Sequence, residues 1–141
     1  MVSKKTKAKN GFLLQSSGRR KSASAKLAMY EGKGNVRINS QLLNTANFSD
    51  YLKLRIMEPI LLAEKIGQKF DYFIRVSGGG MVGQADSVRL AIGRALVQQE
   101  KKLEKTFLAY DRHLLVADVR VKEAYKPNDS KARAARQKSY R

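Results

Sequence analysis

The chain has 141 residues, with 29 Lys or Arg against 12 Asp or Glu and a formal net charge of +17. A hydrophobic fraction of 43% supports one modest core at this length and excludes a wholly disordered chain. With no cysteine and a single histidine, His113, the chain can form neither a disulfide scaffold nor a thiolate zinc site nor a cysteine nucleophile, and it is poorly equipped for a zinc enzyme.

After a basic leader, Gly11 to Ser17 reads as a strand, and Gly18-Arg19-Arg20-Lys21 as a turn into a second strand. In that second strand Ala23, Ala25, Leu27 and Met29 share one side, while Ser22, Ser24, Lys26 and Ala28 share the other. Glu31-Gly32-Lys33-Gly34 predicts another turn, and Asn35 to Asn39 a third strand with Val36 and Ile38 on one side, so an antiparallel meander is expected. Ser40 to Phe48 suggests a short helical turn, and Ser49-Asp50 caps a helix running to Met57. Pro59 should break or bend that helix, leaving a second one from Ile60 to Ile66 that ends at Gly67. Phe70, Tyr72, Ile74 and Val76 alternate with Asp71, Phe73 and Arg75 in a strongly patterned strand. Ser77-Gly78-Gly79-Gly80 then leads through Gly83-Gln84-Ala85-Asp86 into the best helix of the chain. Its stripe is Ala85, Val88, Ala91, Ile92, Ala95, Leu96 and Gln99, with Arg89 and Arg94 outside it. Lys101 to Tyr110 predicts a last helix, closed by a turn at Asp111-Arg112, and from Asp118 onward apolar residues thin out.

This order predicts an α+β fold, a two-layer sandwich of a mostly antiparallel sheet packed by helices, with basic extended N- and C-terminal segments. The expected organisation is a leader at 1–11, one globular body at 12–125 and a basic tail at 126–141. The longest apolar runs, Ile60 to Ala63 and Leu114 to Ala117, are four residues each, far short of the roughly 20 that span a bilayer. A soluble chain is therefore expected. The leader has no apolar segment of the secretory type, and it is Lys-rich and without the amphipathic period of an organellar transit peptide.

Charge is unevenly placed. Residues 1–26 carry eight basic residues and no acid, residues 112–141 carry nine basic and three acidic, and the middle, 27–111, has a net charge of only +3. An ordinary soluble surface needs only a few net charges, so this layout asks for a polyanion. Nucleic acid is the first choice. An acidic membrane surface is the weaker one, because neither flank has the apolar stripe of an interfacial helix. Within the flanks, Arg19-Arg20-Lys21 puts adjacent cations in a turn with Ser22 and Ser24 as extra donors, suited to RNA phosphates. In the tail, Lys131, Arg133, Arg136 and Lys138 space their charges and Arg141 ends the chain. Arginines can pair bidentately with phosphate there, and Tyr140 can stack on a base or ribose.

Gly78, Gly79 and Gly80 stand at a strand-to-helix junction, where free N–H groups and the helix dipole can receive a phosphate. The segment lacks the Lys-Ser/Thr of a P-loop. Its glycines bring the backbone close either to an RNA phosphate or to a neighbouring strand. No catalytic constellation stands out. Asp86 is most simply a first-turn residue complementing the helix dipole, His113 a structural residue, and Asp111/Arg112 and Asp118/Arg120 local ion pairs.

Eight segments in order carry a resemblance: Gly18-Arg19-Arg20-Lys21-Ser22-Ala23, Met57-Glu58-Pro59, Val76-Ser77-Gly78-Gly79-Gly80, Gly83-Gln84-Ala85, Arg94-Ala95-Leu96, Tyr110-Asp111-Arg112, Asp118-x-Arg120 and Gln137-Lys138-Ser139-Tyr140-Arg141. From about residue 12 to the C-terminus the chain resembles the family of the ninth small-subunit ribosomal protein. Its Ser-Tyr-Arg ending is similar to that of the archaeal and eukaryotic branch. Val119 and Asn128-Asp129-Ser130 depart from residues common in the family.

The resemblance implies a non-enzymatic structural component of the cytoplasmic ribosome, without cofactor, in the head of the small subunit. Implied partners are 16S-type rRNA, P-site tRNA and neighbouring head proteins, with no membrane. Arg19, Arg20 and Lys21 match the family's basic turn, with rRNA contact expected, and Lys138, Tyr140 and Arg141 match the positions nearest the tRNA. Two rival classes remain on the sequence alone. One is a free RNA or DNA chaperone. The other is a small-molecule kinase of similar α+β topology.

Overall fold

The computed structural model describes residues 12–125 and Ala132. The leader 1–11 and the tail residues Lys131, Arg133, Arg136, Lys138, Tyr140 and Arg141 lie outside the described residues.

Strands β1 (Phe12–Arg20) and β2 (Ala23–Glu31) pair antiparallel. The alternation expected of β2 is present: Ala23, Ala25, Leu27 and Met29 are buried. The turn is tighter than the sequence suggested. Arg19 and Arg20 belong to the strand, opposite Ser24 and Ala23, and only Lys21 and Ser22 connect the two strands.

The expected meander does not form. Strand β3 (Val36–Ile38) does not follow β2 in the sheet. Strand β5 (Phe70–Ser77) lies between them, antiparallel to β2 and parallel to β3, and with a short strand β4 (Gln41–Leu42) at the far edge the sheet order is β1-β2-β5-β3-β4. The physical reason is edge length. A three-residue strand would leave most of the nine-residue β2 unpaired, whereas β5 matches it from Ser24↔Ser77 to Glu31↔Phe70. The glycine turn after β2 is a crossing rather than a hairpin: Gly32 and Gly34 donate their N–H groups to Lys69 and Phe70 carbonyls, and Lys33 and Asn35 donate theirs to the Asp71 carboxylate. Strand β4 (Gln41–Leu42) replaces the start of the helical turn expected at 40–48. Asn39 and Ser40, both at positive φ (48° and 72°), make its two-residue connection to β3.

Helix α1 (Asp50–Leu62) runs through Pro59 instead of breaking there. Proline costs one N–H donor, but Ile56, Pro59 and Ile60 are all buried, and their packing holds the last turn together. Residues 63–66 are turns rather than helix, followed by a short 3-10 turn at Gly67–Lys69. Helix α2 (Met81–Gln99) starts two residues before Gly83 and packs on β1 and β2, with α1 along its side. Helix α3 (Leu103–Tyr110) completes the helical layer.

The stripe expected on α2 is buried from Ala85 to Leu96, with Gln99 only half-buried, but Ser87, Arg89, Leu90 and Gly93 are buried too, because other segments cover the back of the helix. Gly18 makes the close approach of β1 to α2 possible: a Cβ there would lie 2.0 Å from the Ser87 carbonyl oxygen. The core is one continuous cluster from Leu27, Met29 and Ile74 in the sheet through Val88, Ile92 and Leu96 of α2 to Ile56, Phe107 and Leu114. Tyr72, fully buried in it, donates its hydroxyl to the Gly67 carbonyl at 2.8 Å, and burial pushes that hydroxyl's pKa far up. The opposite face of the sheet carries Lys26, Arg37, Phe73 and Arg75, all exposed.

Candidate nucleic-acid interface

Two segments far apart in sequence, the β1–β2 turn and the glycine loop before α2, meet at one end of the sheet. A Cβ on Gly78 would lie 2.5 Å from the Ser22 carbonyl oxygen and one on Gly79 2.9 Å from the Ala23 nitrogen, with φ at +72° and +66°. Both glycines therefore serve close packing on the neighbouring strand. Gly80 is different, with open space around its Cα and an extended backbone (φ −94°). It is the N-cap of α2, which begins without a side-chain cap, so the first-turn N–H groups and the positive dipole end sit beside the basic turn. The Ser24 and Ser77 hydroxyls, 3.2 Å apart, join the two strands there.

The three cations of the turn point in different directions. Arg19 is exposed on the open face of the sheet, its Nε donating to the Lys21 carbonyl at 3.3 Å. Lys21 is exposed at the tip with φ +52°. Arg20 faces the helices, 2.6 Å from Asp118 and 3.6 Å from Asp86. The first 26 residues hold no acid, yet the fold brings two to Arg20 from α2 and from the segment after α3. Asp86 is also 2.8 Å from Arg55 and lies beyond the first turn of α2, so ion pairing rather than the dipole explains it.

Arg89, expected on the outer surface of α2, is only 6% exposed and lies 2.6 Å from Glu58 and 2.8 Å from Asp111. The Asp111 contact is a well-formed hydrogen bond. The Glu58 contact is close but poorly aligned for one. Asp111 thus pairs with Arg89 instead of Arg112, and also accepts the His113 backbone N–H. Partial burial pushes the Asp111 carboxyl up, but the His113 and Arg89 hydrogen bonds outweigh it and hold its pKa below the ordinary value. His113 itself is exposed. Further along, Arg94 donates to the Leu115 and Ser17 carbonyls, and Leu114 is fully buried. Asp118 and Arg120 form the local pair expected of them, at 2.6 Å, and the Arg120 hydrogen bonds hold the Asp118 carboxyl far below its usual range. Residues 111–120 are in this way fastened along α2 and to the end of β1, ahead of the exposed stretch 121–125.

Sequence reading missed a second basic surface, the open face of the sheet. It had placed Lys26 and Arg75 away from the core, but only the insertion of β5 beside β2 sets them directly opposite each other. Arg37 of β3 stands over the Phe73 ring at 5.7 Å. Phe12, Tyr30 and Phe73 form an edge-to-face row with centroid separations of 5.6 and 5.2 Å.

The family model described as Ribosomal protein S9/S16 matches residues 18–141. The chain belongs to the ribosomal protein S9/S16 family. It is 44% identical over 128 residues to the small ribosomal subunit protein uS9 of Methanococcus maripaludis (strain C7), covering 88% of this chain and 95% of that one. It is 43% identical over 128 residues, with the same coverage, to uS9 of Methanococcus vannielii. These archaeal relatives agree with the Ser-Tyr-Arg ending. As an S9/S16 protein the chain is a structural, non-enzymatic component of the small ribosomal subunit in the cytoplasm. The enzyme rival falls with that assignment. Among the described residues, no helix is long and apolar enough to cross a membrane.

Proposed function

We propose that this S9/S16 protein binds 16S-type rRNA in the head of the small subunit through its basic surfaces and reaches P-site tRNA with its C-terminal tail. The observation that carries the reading is the charge layout: 14 of the 17 net positive charges lie in residues 1–26 and 112–141, outside the middle of the chain. In this reading residues 12–125 are the body, 1–11 a basic leader and 126–141 an RNA-following tail.

Arg19 and Lys21 meet rRNA phosphate directly at the sheet end, while Arg20, shared with Asp86 and Asp118, steadies the turn from behind. The backbone at Gly78, Gly79 and Gly80 and the uncapped start of α2 offer N–H groups to a phosphate beside that turn. Lys131, Arg133 and Arg136 continue the rRNA contact, and Lys138, Tyr140 and Arg141 meet the tRNA, where an aromatic ring can stack and an arginine can take phosphate bidentately. Neighbouring head proteins complete the surroundings.

Deletion of 131–141 tests the reading. Subunits carrying the truncated protein should retain it through a high-salt wash but hold P-site tRNA less well. For the isolated protein, the slope of log K for rRNA against log salt should flatten by roughly 0.7 to 0.9 per lost phosphate contact. Unchanged tRNA retention and an unchanged salt slope would refute the role of the tail.

A further inference from the structure

We infer that the open face of the sheet, on the side away from the helices, is a second RNA surface, one that takes an unpaired rRNA segment with a base stacked on the Phe73–Tyr30 end and its phosphates along Lys26, Arg75 and Arg19. This rests on the rRNA reading above and adds a site to it.

The register carries the inference. Lys26 and Arg75 are directly opposite partners of the antiparallel β2–β5 pair, an arrangement that costs stability when the charges are alike. Neither side chain makes a hydrogen bond or an ion pair among the described residues. The contrast with the other side of the molecule is sharp, since Arg20, Arg55 and Arg89 there each have a carboxylate within 3 Å. A sheet that leaves two facing cations uncompensated is built to receive an anion from outside.

The polar residues around that pair suit a phosphate chain. Ser17 flanks Lys26 on β1, and the Ser24–Ser77 pair and Arg19 continue toward the β1–β2 turn. Toward the other end, the next open-face position on β5 is Phe73, which is 42% exposed, lies opposite Ala28, meets Tyr30 edge to face and has Arg37 standing over its ring, a cation that can move onto a phosphate as a base takes its place. An exposed ring beside a small alanine leaves a flat place for a base, and sheet aromatics of this kind stack bases in sequence-tolerant fashion. From Phe73 to Ser77 the strand rises about 13 Å, room for a short single-stranded stretch. The nearest acid on β5, Asp71, is turned to the loop, where it accepts from Lys33 and Asn35, and of the cations on this face it is Arg37 that feels its charge, not Lys26 or Arg75. An apolar or acidic protein surface would leave either the cations or the ring unmatched, whereas RNA supplies partners for both.

The test uses the full chain and a full-length small-subunit rRNA transcript. Lys26→Gln/Arg75→Gln should lower the salt slope by roughly 1.4 to 1.8 through two lost phosphate contacts. Phe73→Ala should weaken binding roughly ten- to hundred-fold with the slope unchanged. The charge variant alters only exposed side chains, so its circular dichroism should match the parent and its Tm should be at least as high, the repulsion between the facing cations being relieved, which keeps the test independent of any packing lost with Phe73. In purified native subunits, ultraviolet irradiation should attach a nucleotide to the peptide that contains Phe73. Parent-like binding by both variants, with the parent binding well, overturns this inference and leaves the rRNA reading standing. Lys26 crosslinking to another ribosomal protein, with no nucleotide on the Phe73 peptide, overturns it in favour of a protein interface. Failure of the parent chain itself to bind the transcript overturns the rRNA reading and this one together.

Discussion

The Arg89 guanidinium, buried on the back of α2, donates to the Asp111 carboxylate at 2.8 Å, and this bond fixes where the chain turns after α3. Glu58 of α1 closes on the same guanidinium. Removing one partner from a buried pair leaves the others uncompensated. Arg89→Met should destabilise the body by about 2–3 kcal/mol, below the full range for buried pairs because both carboxylates keep some solvent contact. Urea unfolding of the variant and of Asp111→Asn checks it. Loss of less than about 0.5 kcal/mol would put Arg89 in the class of surface pairs.

Gly79 and Gly80 are neighbours with opposite requirements. At Gly79, φ is +66° and the Ala23 backbone is in the way of a Cβ, whereas Gly80 has neither restriction. Gly79→Ala should cost about 1–3 kcal/mol and Gly80→Ala less, about 0.5–1 kcal/mol, since alanine is the poorer N-cap for α2. Thermal unfolding of the pair reads the difference directly. Equal Tm values would mean that the glycine loop is not held against β2.

Acid should weaken the body through its carboxylates. Partial burial pushes Asp71 up, but the hydrogen bonds from Asn35 and Lys33 outweigh it and set its pKa below the ordinary 3.8. Asp111 is lowered in the same way. Because the folded-state values are the depressed ones, their contribution is complete above the unfolded-state value and lost as pH falls through the folded-state value. The urea midpoint should therefore stay level from about pH 7 to about pH 5 and decline below about pH 4. In Asp71→Asn the decline should be shallower. A fall beginning near pH 6 would place the controlling group elsewhere.

Tyr72→Phe removes the hydroxyl that satisfies the Gly67 carbonyl inside the core. The expected cost is about 1–2 kcal/mol, from a buried acceptor left without its partner. A double-mutant comparison with Arg89→Met should be additive, since the two residues share no partner.

How far the sequence could be read depended on how local the signal was. Ala23, Ala25, Leu27 and Met29, and equally Tyr72, Ile74 and Val76, announce their strands because period-two alternation is written within a few residues. The place of β5 between β2 and β3 is a contest between edges of different length, and no window of sequence contains both contestants. Arg89 read as a surface charge for a similar reason: Glu58 and Asp111 reach it only once α1, α2 and α3 are assembled. Arg20 looked uncompensated until the fold delivered Asp118 and Asp86. In the candidate interface, the basic turn and the glycine loop were each visible alone, and their meeting was not. Lys26 and Arg75 were seen to avoid the core, but their pairing needed the register.

The insertion of β5 between β2 and β3 also sets a timetable for synthesis. A ribosome making this chain releases the β1–β2 hairpin first, and the inner edge of β2 has no neighbour until Phe70–Ser77 emerges. Throughout that interval an unpaired strand edge carrying Leu27 and Met29 is open to other nascent chains. Closure must wait for a long-range pairing, which is slow compared with the helices that surround it. In the intervening segment, β3 therefore has only β4 to pair with until β5 arrives, and α1 waits longer still for α2, the helix it packs on.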